Sequence, residues 1–428
     1  MRGILSLRKT GVFLLVFLTI SLACAFAGGS KEAAPAQTQS TIVVTSWRTE
    51  DIAAVNAINA VFMKKYPNIT VKFDPIKNTE YSAQLQTALE TKSDRYDVIG
   101  VFPFGWVENY NKNGYIQPLN GLVKNLSNLP QAVLDKYSAG GSVVAVPVAA
   151  VAHGIYYNKD IFAKYNLKVP ETWAEFISIC DTLKQAGVNV IAQGAVDKWT
   201  LGEGGFPNWG ANFYGGEATR QALMAGDIKF TDPRFVKTFA VLKSLVQYFV
   251  PGYQSIDYVA MQQLFKTGQA AMMICGGSWE LAGFKAAGVN FGWFPPPVQN
   301  AGDKEQLCFL SDLGYSLSRY SKNTEAAATY LNWVSTPEFA QLFMTNIPGF
   351  YSYMPGNYTL DPAATSILKA VQSSVLTERL MAQKLSDKPP TGTDLLDDAC
   401  VKVVLGEFTP EQAADYVQNG LAAWFPFK

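Results

Sequence analysis

The stretch LFKTGQAAMMICGGSW, residues 264–279, carries the strongest structural signal in the chain. Its pattern predicts a helix that stops at Gly268, followed by a buried strand from Ala270 to Ile274. The Gly276-Gly277 pair then predicts a turn that presents the indole of Trp279. Glycine beside an indole lets a flat ligand approach the backbone while the ring supplies a stacking face. The stretch therefore predicts a binding surface directly after a buried strand.

Composition indicates a globular protein with more than one domain. The chain has 428 residues, whereas single cores stop growing near ~250–300 residues. The 35 basic and 35 acidic residues balance, and no basic stripe is present that could bind a phosphate backbone. We therefore expect no nucleic-acid partner.

The N-terminus has the features of an export signal. Basic residues precede an apolar run, residues 11–23, that is too short to span a bilayer. Small residues around Ala27 suit cleavage of residues 1–27, whereas the lipobox-like sequence ending at Cys24 would instead remove residues 1–23 and attach lipid. Residues 28–40 lack an apolar pattern and predict a flexible linker. We expect an exported protein, either periplasmic or lipid-anchored at the outer face of a membrane.

Cysteine and histidine usage gives no sign of a metal site or cofactor site. The remaining cysteines have no CxxC spacing and predict free buried thiols, with a structural disulfide left open: Cys180, Cys275, Cys308 and Cys400. His153 is the single histidine and lies in an apolar run, which favours a structural role. Walker A, HExxH and GxSxG motifs are absent from the sequence. We expect neither metal nor cofactor.

Strand and helix patterns alternate in the first hundred residues. The predicted elements are a strand at 41–47, a helix at 51–65, a strand at 69–73, a helix at 80–91 and a strand at 96–101. Such alternation implies an α/β fold with a mostly parallel sheet. Later, Thr172 and Glu175 predict a capping box, a pattern that recurs at Thr409. Residues 192–216 are rich in glycine and aromatic residues and predict an irregular functional segment.

Seven pieces of sequence, in the expected order, resemble the family 1 extracellular solute-binding proteins of ABC importers. They are TSW (45–47), YDVIGV (96–101), NGYIQPLN (113–120), VPVAAVAHGIYYNKDIF (146–162), VPETWAEF (169–176), LFKTGQAAMMICGGSW (264–279) and SKNTEAAATYLNWVSTPEFAQ (321–341). The resemblance implies a type II periplasmic binding protein fold, in which two α/β lobes, each a mixed sheet flanked by helices, are joined by a hinge. The implied lobes are 41–149 plus 313–355, and 150–312 plus 356–428.

The resemblance also implies a function. Such a protein is the monomeric substrate-binding subunit of an ABC transporter, which captures a carbohydrate, here an oligosaccharide, in the cleft and delivers it to a membrane permease. It performs no catalysis. Relatives that bind maltose-like sugars carry charged groups on the loop after the third strand, where this chain has Phe102, Phe104 and Trp106. The specific ligand of those relatives therefore cannot be assigned to this chain.

Aromatic and polar residues near strand ends are the expected ligand contacts. Sugars have apolar faces and polar edges, which suit stacking rings and hydrogen-bonding groups, and open α/β sheets bind ligands beyond the carboxyl ends of strands. The expected site residues are Trp47, Arg48, Glu80, Tyr81, Phe102, Phe104, Trp106, Trp199, Glu203, Trp209, Gly277, Trp279, Asp312 and Tyr351. Trp173, Trp333 and Trp424 fall in helical patterns and are expected in the core.

The sequence is also compatible with three other functions. A secreted glycoside hydrolase would need two carboxylates beside the scissile bond, to be drawn from Asp197, Glu203 and Asp312. A sensory subunit would use the same fold and closure but present the closed form to a receptor. A cation-binding member would need several carboxylates near the rings.

Overall fold

The computed structural model describes residues 39–428. The predicted export signal, the Cys24 lipidation site and most of the predicted linker lie outside these residues. Within the described part, no helix combines the length and apolar character needed to cross a membrane.

The strands of the described part are short except for two. They are β1 Ser40–Thr45, β2 Ile69–Phe73, β3 Val98–Val101, β4 Ser138–Ala139, β5 Ser142–Val143, β6 Val146–Asn158, β7 Met272–Gly277, β8 Phe291–Phe294, β9 Gln306–Leu317, β10 Tyr351–Ser352 and β11 Val375–Thr377.

The helices surround the strands. They are α1 Ile52–Lys65, α2 Asn78–Glu90, α3 Gly105–Lys112, α4 Gln131–Leu134, α5 Lys159–Lys164, α6 Trp173–Gln185, α7 Phe206–Tyr214, α8 Gly216–Met224, α9 Pro233–Leu245, α10 Tyr258–Lys266, α11 Leu281–Ala286, α12 Thr324–Val334, α13 Pro337–Asn346, α14 Pro362–Ser373, α15 Gly392–Val404 and α16 Pro410–Ala422.

Strands β6 and β9 form the centre of the large sheet. They pair antiparallel, from Val146 opposite Tyr315 to Ala152 opposite Phe309. From β9 the sheet continues through β3 and β1 to β2, with β1 parallel to both of its neighbours. The second half of β6 pairs instead with β7 and β8. Each long strand therefore belongs to two groups of strands.

The described residues bury two large hydrophobic cores. One draws on residues 42–151 and 308–354, and the other on residues 155–294 and 380–425. Strand β6 passes from the first core to the second between Val151 and Ile155. The chain thus crosses between the cores along a strand and not through a flexible linker.

Most sequence-predicted elements are present, and two predictions are wrong. Both capping boxes form, with Thr172 and Thr409 as N-caps. The strand predicted at 270–274 is shifted to Met272–Gly277, so its glycines end the strand and do not form a turn. Residues 192–216 are only partly irregular, because Phe206–Tyr214 form a helix in which nearly every residue is buried. The many glycine and aromatic residues of this helix hide its apolar period in the sequence. Pro207, in the first turn, is nevertheless a residue typical of helix N-termini.

The four described cysteines are free and buried, as predicted. Burial raises the pKa of the Cys180, Cys275, Cys308 and Cys400 thiols, so they stay protonated at neutral pH. They act as small apolar side chains in the cores.

The buried hydroxyl of Ser278 joins two distant parts of the chain. It accepts a hydrogen bond of 3.0 Å from the Ala152 N–H and donates one to the carbonyl of Gly349. Gly349 has a φ of 101°, and a Cβ there would lie 1.9 Å from the Ser278 carbonyl oxygen. Only glycine fits this close approach. Ser278 therefore fixes the loop before β10 against β6.

We expect Ser278→Ala to lower the free energy of unfolding by about 1–3 kcal/mol, because two buried backbone groups lose their partner. Urea denaturation measures the change. Ser373→Ala is the matched control, since the exposed Ser373 hydroxyl bonds only the Ala370 carbonyl within its own helix. Equal effects of the two substitutions would contradict the role given to Ser278.

Candidate functional site

A cavity of about 210 Å³ lies where several strand and helix ends meet. Half of the expected site residues line it: Trp47, Arg48, Phe102, Trp199, Glu203, Trp279 and Asp312. The other lining residues were not expected from the sequence: Glu50, Asn78, Thr79, Tyr258 and Arg379. We call this space the aromatic cavity.

Two parallel strands supply one wall of the aromatic cavity. Trp47 follows β1 and Phe102 follows β3, and these strands are parallel neighbours. Their carboxyl ends meet at one edge of the sheet, which brings the two rings together. The rings stack with centroids 4.0 Å apart and an interplanar angle of 20°. The wall is therefore a preformed apolar surface.

A second aromatic group, Trp199, Tyr258 and Trp279, also lines the cavity. Trp199 and Tyr258 pack against a smaller hydrophobic cluster, and Trp279 packs against the first core. The ring of Trp199 meets that of Tyr258 edge-on at 4.8 Å. Trp279 follows β7, and its Nε1–H donates a 2.8 Å hydrogen bond to the Tyr258 hydroxyl. Tyr258 begins α10, whose N-terminus is capped by the side chain of Asp257. The helix start thus holds the tyrosine that orients the Trp279 indole.

A buried carboxyl group anchors this arrangement. Glu280 accepts a hydrogen bond from the Tyr258 hydroxyl and a second, of 2.9 Å, from the Gln262 side chain. The residue is 3% exposed. Burial raises the pKa of Glu280 to about 8, against the smaller opposing effect of Arg48. Glu280 is therefore mostly protonated at pH 7 and acts as a neutral hydrogen-bonding group.

Arg48 is a fixed cation at the cavity wall. Its Nε lies 2.6 Å from Asp51 and its Nη1 lies 2.8 Å from Glu50. The guanidinium also packs over the ring of Phe350 at 4.8 Å from the ring centroid. Two carboxylates therefore balance this charge before any ligand enters.

Arg379 and Glu203 form a second ion pair at the cavity, with Nη1 and Oε1 2.6 Å apart. The Arg379 guanidinium lies over the ring of Phe102, 5.7 Å from its centroid. The Glu203 backbone N–H donates to the partly buried carboxylate of Asp397 at 2.7 Å. Arg379 follows β11, in a stretch with no motif or period that could have marked it in the sequence.

Asp312 is the carboxylate that the surrounding protein leaves available. It lies on β9 and is 7% exposed. Within residues 39–428 its side chain has no hydrogen-bond partner, in contrast to Glu203. Burial raises the pKa of Asp312 to about 6, although the charges of Arg379 and Arg48 oppose this shift. Asp312 can accept hydrogen bonds from a ligand at neutral pH.

A larger cavity of about 560 Å³ adjoins the first. It is lined by Phe104 and Trp106, two further expected residues, and it shares Phe102, Glu203 and Arg379 with the aromatic cavity. Phe104 has a φ of 61°, an uncommon conformation for a residue with a side chain. We call this space the outer cavity.

The other expected residues do not line the aromatic cavity. Tyr81 is 1% exposed and bonds the Gly100 carbonyl, Trp209 is 1% exposed, and Tyr351 is 4% exposed and bonds the Ala364 carbonyl. Glu80 is exposed and accepts a hydrogen bond from the Gln84 side chain. Gly277 packs against the Trp279 ring, which a Cβ would approach to 1.6 Å. We leave the first four out of the proposed site.

His153 supports the Trp279 side of the cavity. Its Nδ1 lies 2.9 Å from the Gly204 carbonyl oxygen, and its ring meets the Trp279 indole edge-on at 5.0 Å. Burial, together with the nearby charge of Arg379, lowers the pKa of His153 to about 3. The imidazole is therefore neutral and structural, as the sequence suggested. Trp333 is buried in a core, and Trp173 and Trp424 are partly buried against the other.

A family model described as bacterial extracellular solute-binding protein matches residues 45–341. The chain is similar to the multiple sugar-binding protein of Streptococcus mutans, with 26% identity over 353 residues, covering 78% of this chain and 80% of that protein. It is also 27% identical over 240 residues to an uncharacterized ABC transporter extracellular-binding protein of Pyrococcus horikoshii, covering 55% of this chain and 56% of that one.

Solved structures show the same fold. The bacterial solute receptor AcbH, described as having an exclusive preference for β-D-galactopyranose, matches with a TM-score of 0.79 and 17% identity, covering 91% of this chain and 100% of that chain. The likeness confirms the predicted two-lobe α/β fold.

We expect Glu280→Gln to stabilise the protein increasingly as the pH rises from about 5 to about 8. The folded-state pKa of Glu280 is about 8, above its unfolded value. The wild type therefore loses stability across this range, because the buried group must stay protonated or become a buried charge. Glutamine does not titrate and can keep both hydrogen bonds.

Urea denaturation at intervals of one pH unit measures this difference, with Glu171→Gln, an exposed position, as the control. A constant difference between Glu280→Gln and the wild type would show that Glu280 is ionised in the folded protein.

Proposed function

Since the chain belongs to the bacterial extracellular solute-binding proteins, we propose that it is the substrate-binding subunit of an ABC transporter and captures a carbohydrate in the aromatic cavity. The carbohydrate is then delivered to a membrane permease. The S. mutans relative carries the name of a multiple sugar-binding protein. The chemistry of the aromatic cavity of this chain supports the same ligand class.

The observation that carries the proposal is the balance of groups lining the cavity. Four rings, those of Trp47, Phe102, Trp199 and Trp279, offer faces to the apolar C–H surface of a sugar. Both arginines are already paired, whereas Asp312 has an unused acceptor. An uncharged guest with several hydroxyl groups suits this set better than an anion, which would have to compete for the arginines.

We further propose that the lobes are residues 41–149 plus 313–355, and 150–312 plus 356–428. The two cores support these bounds, because they divide the chain near the same positions. A ligand that contacts Trp47 in one lobe and Trp199 in the other favours the closed form, since it gains contacts that the open form lacks. Closure of this kind needs no chemical step.

We therefore do not assign an enzymatic activity. Of the three carboxylates that a glycoside hydrolase could use, Asp197 accepts a hydrogen bond from the Tyr258 N–H and Glu203 is paired with Arg379. Only Asp312 is left free, and glycoside hydrolysis requires two carboxylates. Release of shorter sugars on incubation with an oligosaccharide would overturn this view.

We propose that the chain acts as a monomer outside the cytoplasm, either soluble after cleavage near Ala27 or anchored through lipid at Cys24. Mass spectrometry of the mature protein distinguishes these two forms. A sensory role would show as binding to a receptor and not to a permease.

We expect Trp199→Ala and Trp279→Ala to weaken sugar binding by about 1–3 kcal/mol each, because each removes a stacking face. Calorimetric titration of a panel of neutral sugars, amino acids and polyamines onto wild type and variants provides the measurement. Trp424→Ala is the control, since Trp424 packs away from the cavity and bonds the Pro390 carbonyl. Binding of a polyamine but no sugar would replace the carbohydrate assignment with a cation.

We expect sugar affinity to fall as the pH drops from about 8 to about 5, because protonation removes the negative charge of Asp312 and converts one of its two acceptor oxygens into a donor. The folded-state pKa of about 6 places the change within this range. Asp312→Asn should bind more weakly at pH 8 and show a flatter pH profile. A wild-type affinity independent of pH would argue against a direct contact between the carboxylate and the ligand.

A further inference from the structure

We propose that the Arg379–Glu203 ion pair, packed on Phe102, is a partition that confines the ligand in the aromatic cavity to one sugar ring. Arg379 is then the residue that determines ligand length. This inference rests on the proposed carbohydrate function and adds a statement about the length of its ligand.

The Arg379–Glu203 pair lies between the two cavities. The aromatic cavity and the outer cavity have three lining residues in common, which are Phe102, Glu203 and Arg379. Arg379 reaches over Phe102, whose ring is stacked on Trp47 from the first core. These side chains therefore form the wall between two spaces that would otherwise be continuous.

Neighbouring residues hold this wall in place. The side chains of Arg379 and Glu203 are 16% and 27% exposed, so the pair is partly removed from water. Glu203 is fixed further by its backbone hydrogen bond to Asp397. Gly202 packs so closely on Asp397 that a Cβ would lie 2.0 Å from its carboxylate oxygen. A pair with this support differs from an exposed surface pair, which moves freely and contributes little.

The two cavities differ in size. The aromatic cavity has a volume of about 210 Å³. It is smaller than the ~300–1,000 Å³ of cavities that bind drug-sized ligands. One sugar ring fits such a space, whereas the second ring of a chain would have to cross the partition. The outer cavity, at about 560 Å³, has room for further rings and includes the Trp106 indole in its lining.

The test compares matched sugars of one and three rings: D-glucose with maltotriose, D-xylose with xylotriose, D-galactose with β-1,4-galactotriose, and N-acetyl-D-glucosamine with chitotriose. Calorimetric titration gives the ratio of monosaccharide to trisaccharide affinity for each pair. In the wild type we expect the single ring to bind about tenfold more tightly or better. In Arg379→Ala we expect this ratio to fall by at least about tenfold, because the two cavities join.

Glu203→Gln is the second variant and keeps the size of the side chain while removing its charge, so the ratio should fall in the same direction. Arg379→Lys retains a cation and should lie nearer the wild type. Arg234→Ala is the control, because the Arg234–Asp232 pair is partly exposed and lines neither cavity. Its ratio should equal that of the wild type. Thermal melting establishes that each variant is folded.

Two results would contradict the partition without contradicting the carbohydrate function. One is a trisaccharide that binds the wild type as tightly as its monosaccharide, and the other is an equal loss of both affinities in Arg379→Ala, which would make Arg379 an ordinary ligand contact. A lack of binding by all of these sugars, to wild type and variants alike, overturns the carbohydrate function and the partition with it.

Discussion

The pairing of β6 with β9 is the constraint on which the rest of the molecule depends. These strands have 13 and 12 residues, and the first half of β6 pairs with the middle of β9. Their ends join different neighbours, so hydrogen bonds link both cores to one continuous ladder. Asp312 lies within this ladder and His153 lies on β6, where it faces Gly277 of β7. Strand register therefore positions Asp312, and the ends of β1, β3 and β7 position Trp47, Phe102 and Trp279.

A ladder of this kind also restricts relative movement of the two halves. Bending two hydrogen-bonded strands changes many backbone dihedral angles by small amounts, whereas a glycine linker would change a few by large amounts. The irregular registers between Pro147 and Ala150 provide the places where such bending costs least. Ser278 reinforces the crossing from a third segment.

The electrostatics of the cavity follow from burial. Charges that are removed from water need partners, and both cavity arginines have carboxylates in direct contact. Glu280 avoids becoming an unpaired buried charge, because it keeps its proton. Asp312 has neither an ion-pair contact nor a hydrogen bond in the described part of the chain. The cavity thus keeps its own charges satisfied and leaves one acceptor for a guest, which is the arrangement expected for recognition of hydroxyl groups.

Much of the fold could be predicted from the sequence because its signals are local. The β-branched run before Trp47 and the capping box at Thr172 each depend on neighbouring residues, and both appear where expected. The ends of β1, β3 and β7 likewise placed Trp47, Phe102 and Trp279 near one another. In contrast, aromatic type alone does not separate a cavity wall from a core, so Tyr81 and Tyr351 could not be distinguished from true lining residues.

Arg379 and Tyr258 were missed for a different reason. Their positions depend on long-range packing, since Arg379 meets Glu203 across 176 residues of chain. No spacing pattern in the sequence predicts such a contact. Tyr258 had a weak signal, because Asp257 marks a helix start, and a residue at a helix start next to a cleft can orient its neighbours.

The buried state of the four described cysteines has a practical consequence for studying this molecule. Their protonated, inaccessible thiols should resist alkylating dyes under native conditions. A cysteine introduced on the rim of the cleft would then carry a fluorophore selectively, without prior removal of the natural thiols from this region. The protein is therefore suited to conversion into a fluorescent sensor of its own ligand.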